Sequence, residues 1–211
     1  MNEFDNSISS KDITEVLHFT TNRGLLGTLR TGGVLPNNEL KQEDTLAFIF
    51  KQNSKERKER DRRWLNYVNL SLTKLNFEFF DYSKFIHQNV DMYWAILSFS
   101  PEILTHSDVY FTTTNNIYPS CIRGVGREGF EQMFNDPVEG KFQKKISRDK
   151  SLLPSMTTCE QAEVLYPGKL ETKYLNKIYV ATEEDKSSVM AQMMALSTSA
   201  QVEIAPNKFV R

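Results

Sequence analysis

Residues 157–167 read T-T-C-E-Q-A-E-V-L-Y-P. The run opens polar, carries Glu160, Gln161 and Glu163, and turns apolar through Val164, Leu165 and Tyr166. That pattern predicts a loop feeding a strand, with a carboxylate and an amide at the strand mouth. Loops held by a rigid scaffold are where chemistry concentrates. An exposed polar turn before an ordinary strand would carry the same letters, so the rest of the chain must discriminate.

Downstream, residues 175–181 read as a strand. Thr182 then caps a helix whose first turn holds Glu183, Glu184 and Asp185, where negative charge suits the helix dipole. Val189, Met190, Met193, Met194 and Leu196 are read as its core stripe, and residues 202–204 as a closing strand. Upstream, residues 135–155 are polar, contain Lys141, Lys144, Lys145, Arg148 and Lys150, and show no periodicity. A loop of that length beside a candidate carboxylate suits a polyanionic substrate, and a plain surface excursion is the competing reading.

At the other end, residues 13–20 (I-T-E-V-L-H-F-T) read as a strand. Asn22 starts a helix as its cap, Leu25, Leu26 and Leu29 form its apolar face, and Gly32-Gly33 stop it. Residues 34–44 read as a loop and residues 46–50 as a short apolar element. Residues 51–63 (K-Q-N-S-K-E-R-K-E-R-D-R-R) are either a solvated helix face or an arginine clamp for phosphates. Residues 67–72 alternate as a strand, 75–87 form an aromatic-rich helix or irregular segment, and 92–99 form a buried strand. A helical turn at 101–104, a strand at 109–113, a turn at Asn115-Asn116 and a helix at 127–134 complete the pattern. Strands and short helices in mixed order make an α+β fold.

The chain has 211 residues and no linker rich in Pro, Gly or Ser, so a single domain over residues 1–211 is expected. The formal net charge is −1, which counts against a protein that coats nucleic acid and leaves room for a local basic groove. Cys121 and Cys159 are the only cysteines, too few for a disulfide framework. Three histidines, His18, His87 and His106, lack metal-ligand spacing, so no metal is expected. The N-terminus is polar and no apolar run would span a membrane, so a cytoplasmic monomer is expected.

Three segments, in this order, carry a resemblance. They are H-F-T-T-N-R-G-L-L-G-T-L-R-T-G-G-V-L from His18 to Leu35, the arginine-rich run leading into Tyr67-Val68 and N-L-S-L, and E-Q-A-E-V-L from Glu160 to Leu165. Together they resemble the DarT family of DNA ADP-ribosyltransferases, toxins that use NAD to modify a base in single-stranded DNA. The resemblance implies an ADP-ribosyltransferase fold, with two facing β-sheets around an NAD cleft and helices at the periphery. It implies that His18 and Thr20, with Asn22 nearby, bind the nicotinamide and its ribose, and that Glu163 is the catalytic acid. It implies that residues 138–160 recognise DNA, so that Glu160, Lys144, Lys145 and Arg148 contact the substrate, with Gln161 just beyond them positioned to contact the acceptor base or ribose. It also implies an arginine ahead of the Tyr67 strand, for which Arg57, Arg60, Arg62 and Arg63 compete. Arg62 is given the catalytic role, and Arg57 and Arg63 the cofactor. A macrodomain antitoxin is the implied partner. Two departures stand out: V-N-L-S-L at 68–72 replaces an aromatic-and-proline pattern, and Asn115-Asn116 stand where some members have a histidine.

The chemistry fits such residues. Breaking the bond between nicotinamide and ribose passes through an oxocarbenium-like transition state, as in glycoside hydrolysis. A carboxylate beside the anomeric carbon stabilises that charge and can take a proton from the attacking base nitrogen. An arginine fork suits a pyrophosphate. Gln161, two residues before Glu163, shares its face in an extended segment. A target base leaves its stack more cheaply in a single strand, and basic and aromatic side chains hold such strands. The same residues leave open another acceptor, an RNA 2′-phosphate or a protein, and a non-enzymatic nucleic-acid binder.

Overall fold

The computed structural model describes residues 2–40, 62–86 and 92–211. The apolar element expected at residues 46–50, Arg57 and Arg60, and His87 lie outside the described residues.

The order of elements is α1 (Glu3–Ser10), β1 (Val16–Thr21), α2 (Asn22–Thr31), β2 (Gly33–Val34), α3 (Asn37–Leu40) and β3 (Tyr67–Leu72). Then come α4 (Phe77–Ile86), β4 (Trp94–Phe99), β5 (Tyr110–Thr112), β6 (Arg123–Val125) and α5 (Gly126–Gln132). The chain ends with β7 (Val138–Glu139), β8 (Lys145–Ile146), β9 (Val164–Pro167), β10 (Leu170–Glu171), β11 (Leu175–Val180), α6 (Glu183–Ala195) and β12 (Gln201–Ile204).

Eight of the strands form one series in the order β12-β11-β4-β1-β3-β9-β5-β6. All neighbours are antiparallel except β11 and β12. The series has a weak point. β1 pairs with β4 over six residues, from Val16↔Phe99 to Thr21↔Trp94. With β3 it pairs at only two, Val16↔Leu72 and Leu17↔Ser71. Beyond Leu17 the two strands part, each staying with its outer neighbour. The two facing sheets expected from the sequence are therefore half-sheets joined at a short seam, with a cleft where they fork.

Alternation along the strands covers both faces. Val16 joins the larger core with Ala95, Leu97 and Phe99, and Leu17 joins a smaller one with Ile96, Phe77 and Phe80. Helix α4, the aromatic-rich segment, closes the smaller core with Phe77 and Phe80 and leaves Phe79, Tyr82 and Phe85 exposed. In α6 the i, i+4 pair Val189 and Met193 is buried, while Met190 and Met194 are exposed. Of the five-residue core stripe read from the sequence, Val189, Met193 and the partly buried Leu196 reach the core. Helix α1, unforeseen in the sequence, is closed by a reciprocal Asn2–Asp5 capping box and seats Phe4 on Phe111 and Phe130. Helix α2 is capped by Thr21, one residue before Asn22, and ends as expected at Gly32, whose φ of 71° suits glycine.

Residues 135–155 are more regular than their composition implies. They contain the β7–β8 hairpin, and Arg148 braces the segment by donating to the carbonyls of Met156 at 2.7 Å and Leu153 at 2.9 Å. The chain ends are tied through Glu15. Its Oε2 accepts from Ser98 Oγ and Tyr179 OH at 2.8 Å each, and its Oε1 accepts from Lys208 Nζ at 2.5 Å. Burial alone would raise this carboxyl; hydrogen bonds from Lys208, Tyr179 and Ser98 outweigh burial and hold it below its ordinary value.

A folded-state value below the unfolded one means that Glu15 contributes stability above about pH 4.3 and loses it as pH falls through the folded value. Glu15→Gln is expected to cost about 1–3 kcal/mol at pH 7, and the gap from wild type to close below about pH 4. Thermal melts across pH test this, and a gap independent of pH would contradict it.

Candidate active site

The fork between β1 and β3 places its polar residues within reach of one another. His18 is on β1, just past the last seam pair, and Asn69 is on β3. His18 Nδ1 lies 3.0 Å from the Asn69 carbonyl. A carbonyl only accepts, so Nδ1 carries the hydrogen and the neutral ring keeps Nε2 as an acceptor. Burial lowers the His18 pKa against the opposing pull of that carbonyl, which favours the neutral ring.

Glu163 stands immediately before β9, and the strand end is pinned to β5. Its N–H donates to Thr112 Oγ1 at 2.9 Å, and its carbonyl accepts the Thr112 N–H at 2.9 Å. The side chain is 7% exposed. A carboxylate so buried needs donors. Asn69 Nδ2 donates to Oε1 at 3.0 Å, and the Asn116 N–H donates to Oε2 at 2.7 Å. Asn69 therefore serves both walls: its carbonyl holds His18 and its side chain holds Glu163.

His18, Thr20, Asn69, Trp64, Asn116 and Glu163 line one cleft. Its floor is tight, since a Cβ on residue 24 would come within 2.0 Å of Thr20 Oγ1. Helix α2 can start beneath Thr20 only because residue 24 is glycine. Asn22 begins α2 and gives its N–H to the Tyr93 carbonyl at 2.9 Å. A groove adjoins the cleft through Phe79, Tyr82, Asn115 and Ile117, and Gln161, Lys141 and Phe142 line it further out.

The other expected site residues are dispersed. Arg62 and Arg63 are exposed in the turn before β3. From that stretch the cleft receives Trp64, Leu65 and Tyr67. Glu160 accepts the Phe77 N–H at 3.0 Å, satisfying the start of α4. Lys144 and Lys145 are exposed on the hairpin, whereas the Arg148 guanidinium is committed to its own loop. Burial pushes both the Cys121 and Cys159 thiols up, which disfavours a thiolate. His106 bonds the Tyr166 hydroxyl at 2.9 Å, away from the cleft. No cluster of metal-ligating side chains occurs among the described residues, and no helix among them is long and apolar enough to cross a membrane.

Asn69 and Asn116, which hold the Glu163 carboxylate, are not singled out as site residues by the sequence. A faint signal existed for each. Asparagine is depleted in strands, so Asn69 is out of place in V-N-L-S-L. Asn116 marks a turn, and its contribution is a backbone N–H that no side-chain pattern encodes.

The sequence profile described as ssDNA thymidine ADP-ribosyltransferase, DarT, matches residues 17–210. The chain belongs to the DarT family. As a DarT protein it is an NAD-dependent ADP-ribosyltransferase of single-stranded DNA. No curated protein sequence matches it. Its fold resembles that of Thermus sp. 2.9 DarT in complex with ADP-ribosylated ssDNA, with a TM-score of 0.62 and 17% identity over 94% of this chain and 97% of that one. The same Thermus protein in complex with NAD+ gives a TM-score of 0.63 and 16% identity over 94% and 98% of the two chains. Thermosipho africanus DarTG in complex with ADP-ribose gives 0.58 and 13% identity, over 93% of this chain and 51% of that longer one.

Removing the Asn69 side chain deletes one donor to a buried carboxylate, an interaction of about 1.5–3 kcal/mol. Asn69→Ala is expected to slow turnover about tenfold to a hundredfold. Full activity in steady-state assays would remove Asn69 from the site. The His18 ring is expected to titrate below the ordinary value of about 6.5 in an NMR pH series. A midpoint at or above that value would mean the ring is not desolvated.

Proposed function

We propose that this chain transfers ADP-ribose from NAD to thymine in single-stranded DNA, and that it does so as a single-domain toxin. The observation that carries the reading is the Glu163 carboxylate, fixed by Asn69 and Asn116 at a fork whose other wall holds a neutral His18. The family description favours thymine over guanine as the acceptor.

The residues present suit NAD as co-substrate. His18 Nε2 accepts from the nicotinamide carboxamide or the adjoining ribose, and the Thr20 hydroxyl offers a second polar contact on the same strand. NAD supplies an anomeric carbon bearing a neutral leaving group. In a thymidine N1 carries the deoxyribose, so N3 is the ring nitrogen free to attack, and it must lose its proton. The N3–C1′ bond forms as the bond from C1′ to nicotinamide breaks, and nicotinamide leaves with the electron pair. Glu163 stabilises the charge that grows at the sugar and accepts the N3 proton. Asn69 and Asn116 hold the carboxylate oriented before the substrate arrives, so little reorganisation accompanies the reaction.

The DNA strand enters along the adjoining groove. Lys144 and Lys145 meet its phosphates, and Gln161, on the groove wall two residues from Glu163, contacts the acceptor base. Arg63, with Arg57, holds the NAD pyrophosphate, and Arg62 assists the transfer step from the turn before β3. A macrodomain antitoxin opposes the protein in the cytoplasm, and the enzyme acts as a monomer.

The test is intact-mass analysis of defined single-stranded oligonucleotides after incubation with protein and NAD. A gain of one ADP-ribose on thymine-containing strands is expected, absent on thymine-free strands. Glu163→Gln is expected to reduce it about 10²- to 10⁴-fold. Modification of thymine-free strands would overturn the base assignment, and full activity of Glu163→Gln would overturn the mechanism.

A further inference from the structure

One side chain holds the turn that presents Asn116. Arg123, the first residue of β6, donates through Nε to Asn116 Oδ1 at 2.6 Å, through Nη1 to the Cys121 carbonyl at 2.9 Å, and through Nη2 to the Asn116 carbonyl. Its guanidinium also lies over the Trp64 indole, 5.6 Å from the ring centroid. Trp64 lines the cleft, sits edge-on to Tyr110 at 5.1 Å and packs on Tyr67 at 5.3 Å. The opposite side of Asn116 faces the carboxylate, where its N–H meets Glu163 Oε2 at 2.7 Å.

We propose that Arg123 is a positioning residue for Glu163, acting through the Asn116 peptide and tying that peptide to the Trp64 wall. The reasoning is geometric. The Asn116 N–H lies in the peptide plane shared with Asn115, and the Asn116 carbonyl lies in the next plane, across Cα. Arg123 holds Asn116 by its side-chain oxygen and by that carbonyl, so Cα is fixed from two directions and the N–H on its other side has little freedom to swing. A hydrogen bond weakens steeply once its angle falls toward 120°. A small rotation of Asn116 would therefore cost Glu163 one of its two described side-chain donors and let the carboxylate turn. The job needs a planar fork that reaches three oxygens while stacking on an indole. Lysine carries the charge but not the fork, and it stacks less well.

This inference rests on the proposed transfer only for its kinetic readout, so the experiment has a second readout that needs no activity. Arg123→Lys and Arg123→Ala are compared with wild type and Glu163→Gln. The kinetic expectation is a fall of about tenfold or more in kcat for both Arg123 variants, with KM for NAD and oligonucleotide within about threefold. Lysine does not rescue, and Arg123→Lys adds no further loss to Glu163→Gln, because groups acting as a unit are not additive. The structural expectation, read by amide hydrogen exchange, is that the Asn116 N–H loses protection about tenfold in Arg123→Lys while amides of β4 keep theirs. A fully active Arg123→Lys, a loss confined to KM, or an unchanged Asn116 amide would overturn the proposal. A wild-type enzyme inert on DNA would overturn the proposed function alone, and the Asn116 amide would still decide the role of Arg123. Should Arg123→Ala fail to fold, the lysine variant carries the test by itself.

Discussion

The site depends on two strands that stop pairing. β1 and β3 share two residue pairs and then part, which leaves backbone and side chains of both strands facing a gap instead of a ladder. Unpaired strand edges inside a protein are costly because each N–H and C=O has lost its partner. Asn69 resolves part of that cost at the point of divergence. Its carbonyl, turned from the ladder, takes the His18 ring, and its amide takes a carboxylate oxygen of Glu163. One residue thus converts an interrupted sheet into a polar pocket with two chemically different walls.

The electrostatics of that pocket follow from burial. Desolvation disfavours charge on both sides, and the two sides answer differently. The histidine stays neutral, with one nitrogen committed as donor and the other left to accept. The carboxylate is met by an amide and a backbone N–H, the kind of preset donors that a buried anion requires. A substrate entering between them meets an acceptor and an oriented anion, the pairing that cleavage of a glycosidic bond to a neutral leaving group calls for. Trp64 and Tyr67 line this pocket, and Tyr110 and the Arg123 guanidinium pack against Trp64 behind it.

Much of this was legible beforehand. H-F-T followed by a glycine-rich helix start and stop marks β1 and α2 by alternation and end signals, and Q-A-E-V-L-Y marks a carboxylate at a strand mouth. Glu160 and Arg148 show what residue type leaves open. Both carry the charge expected of a substrate contact, and both spend hydrogen bonds inside the protein, one at the start of α4 and one inside its own loop. Residue type sets what a side chain can donate or accept. Which partner it finds depends on neighbours far away in the chain.

Local periodicity, capping and the order of short motifs were enough to mark β1, α2, β4, β11 and α6 and to single out Glu163 at a strand mouth, though not α1 or the β7–β8 hairpin. Only the tertiary structure decided what holds that acid. Asn69 lies 94 residues before Glu163, and Asn116 lies 47 before it and contributes a main-chain N–H that every residue but proline possesses. No local pattern can mark a donor that becomes special only when a sheet forks and a turn folds over the opening.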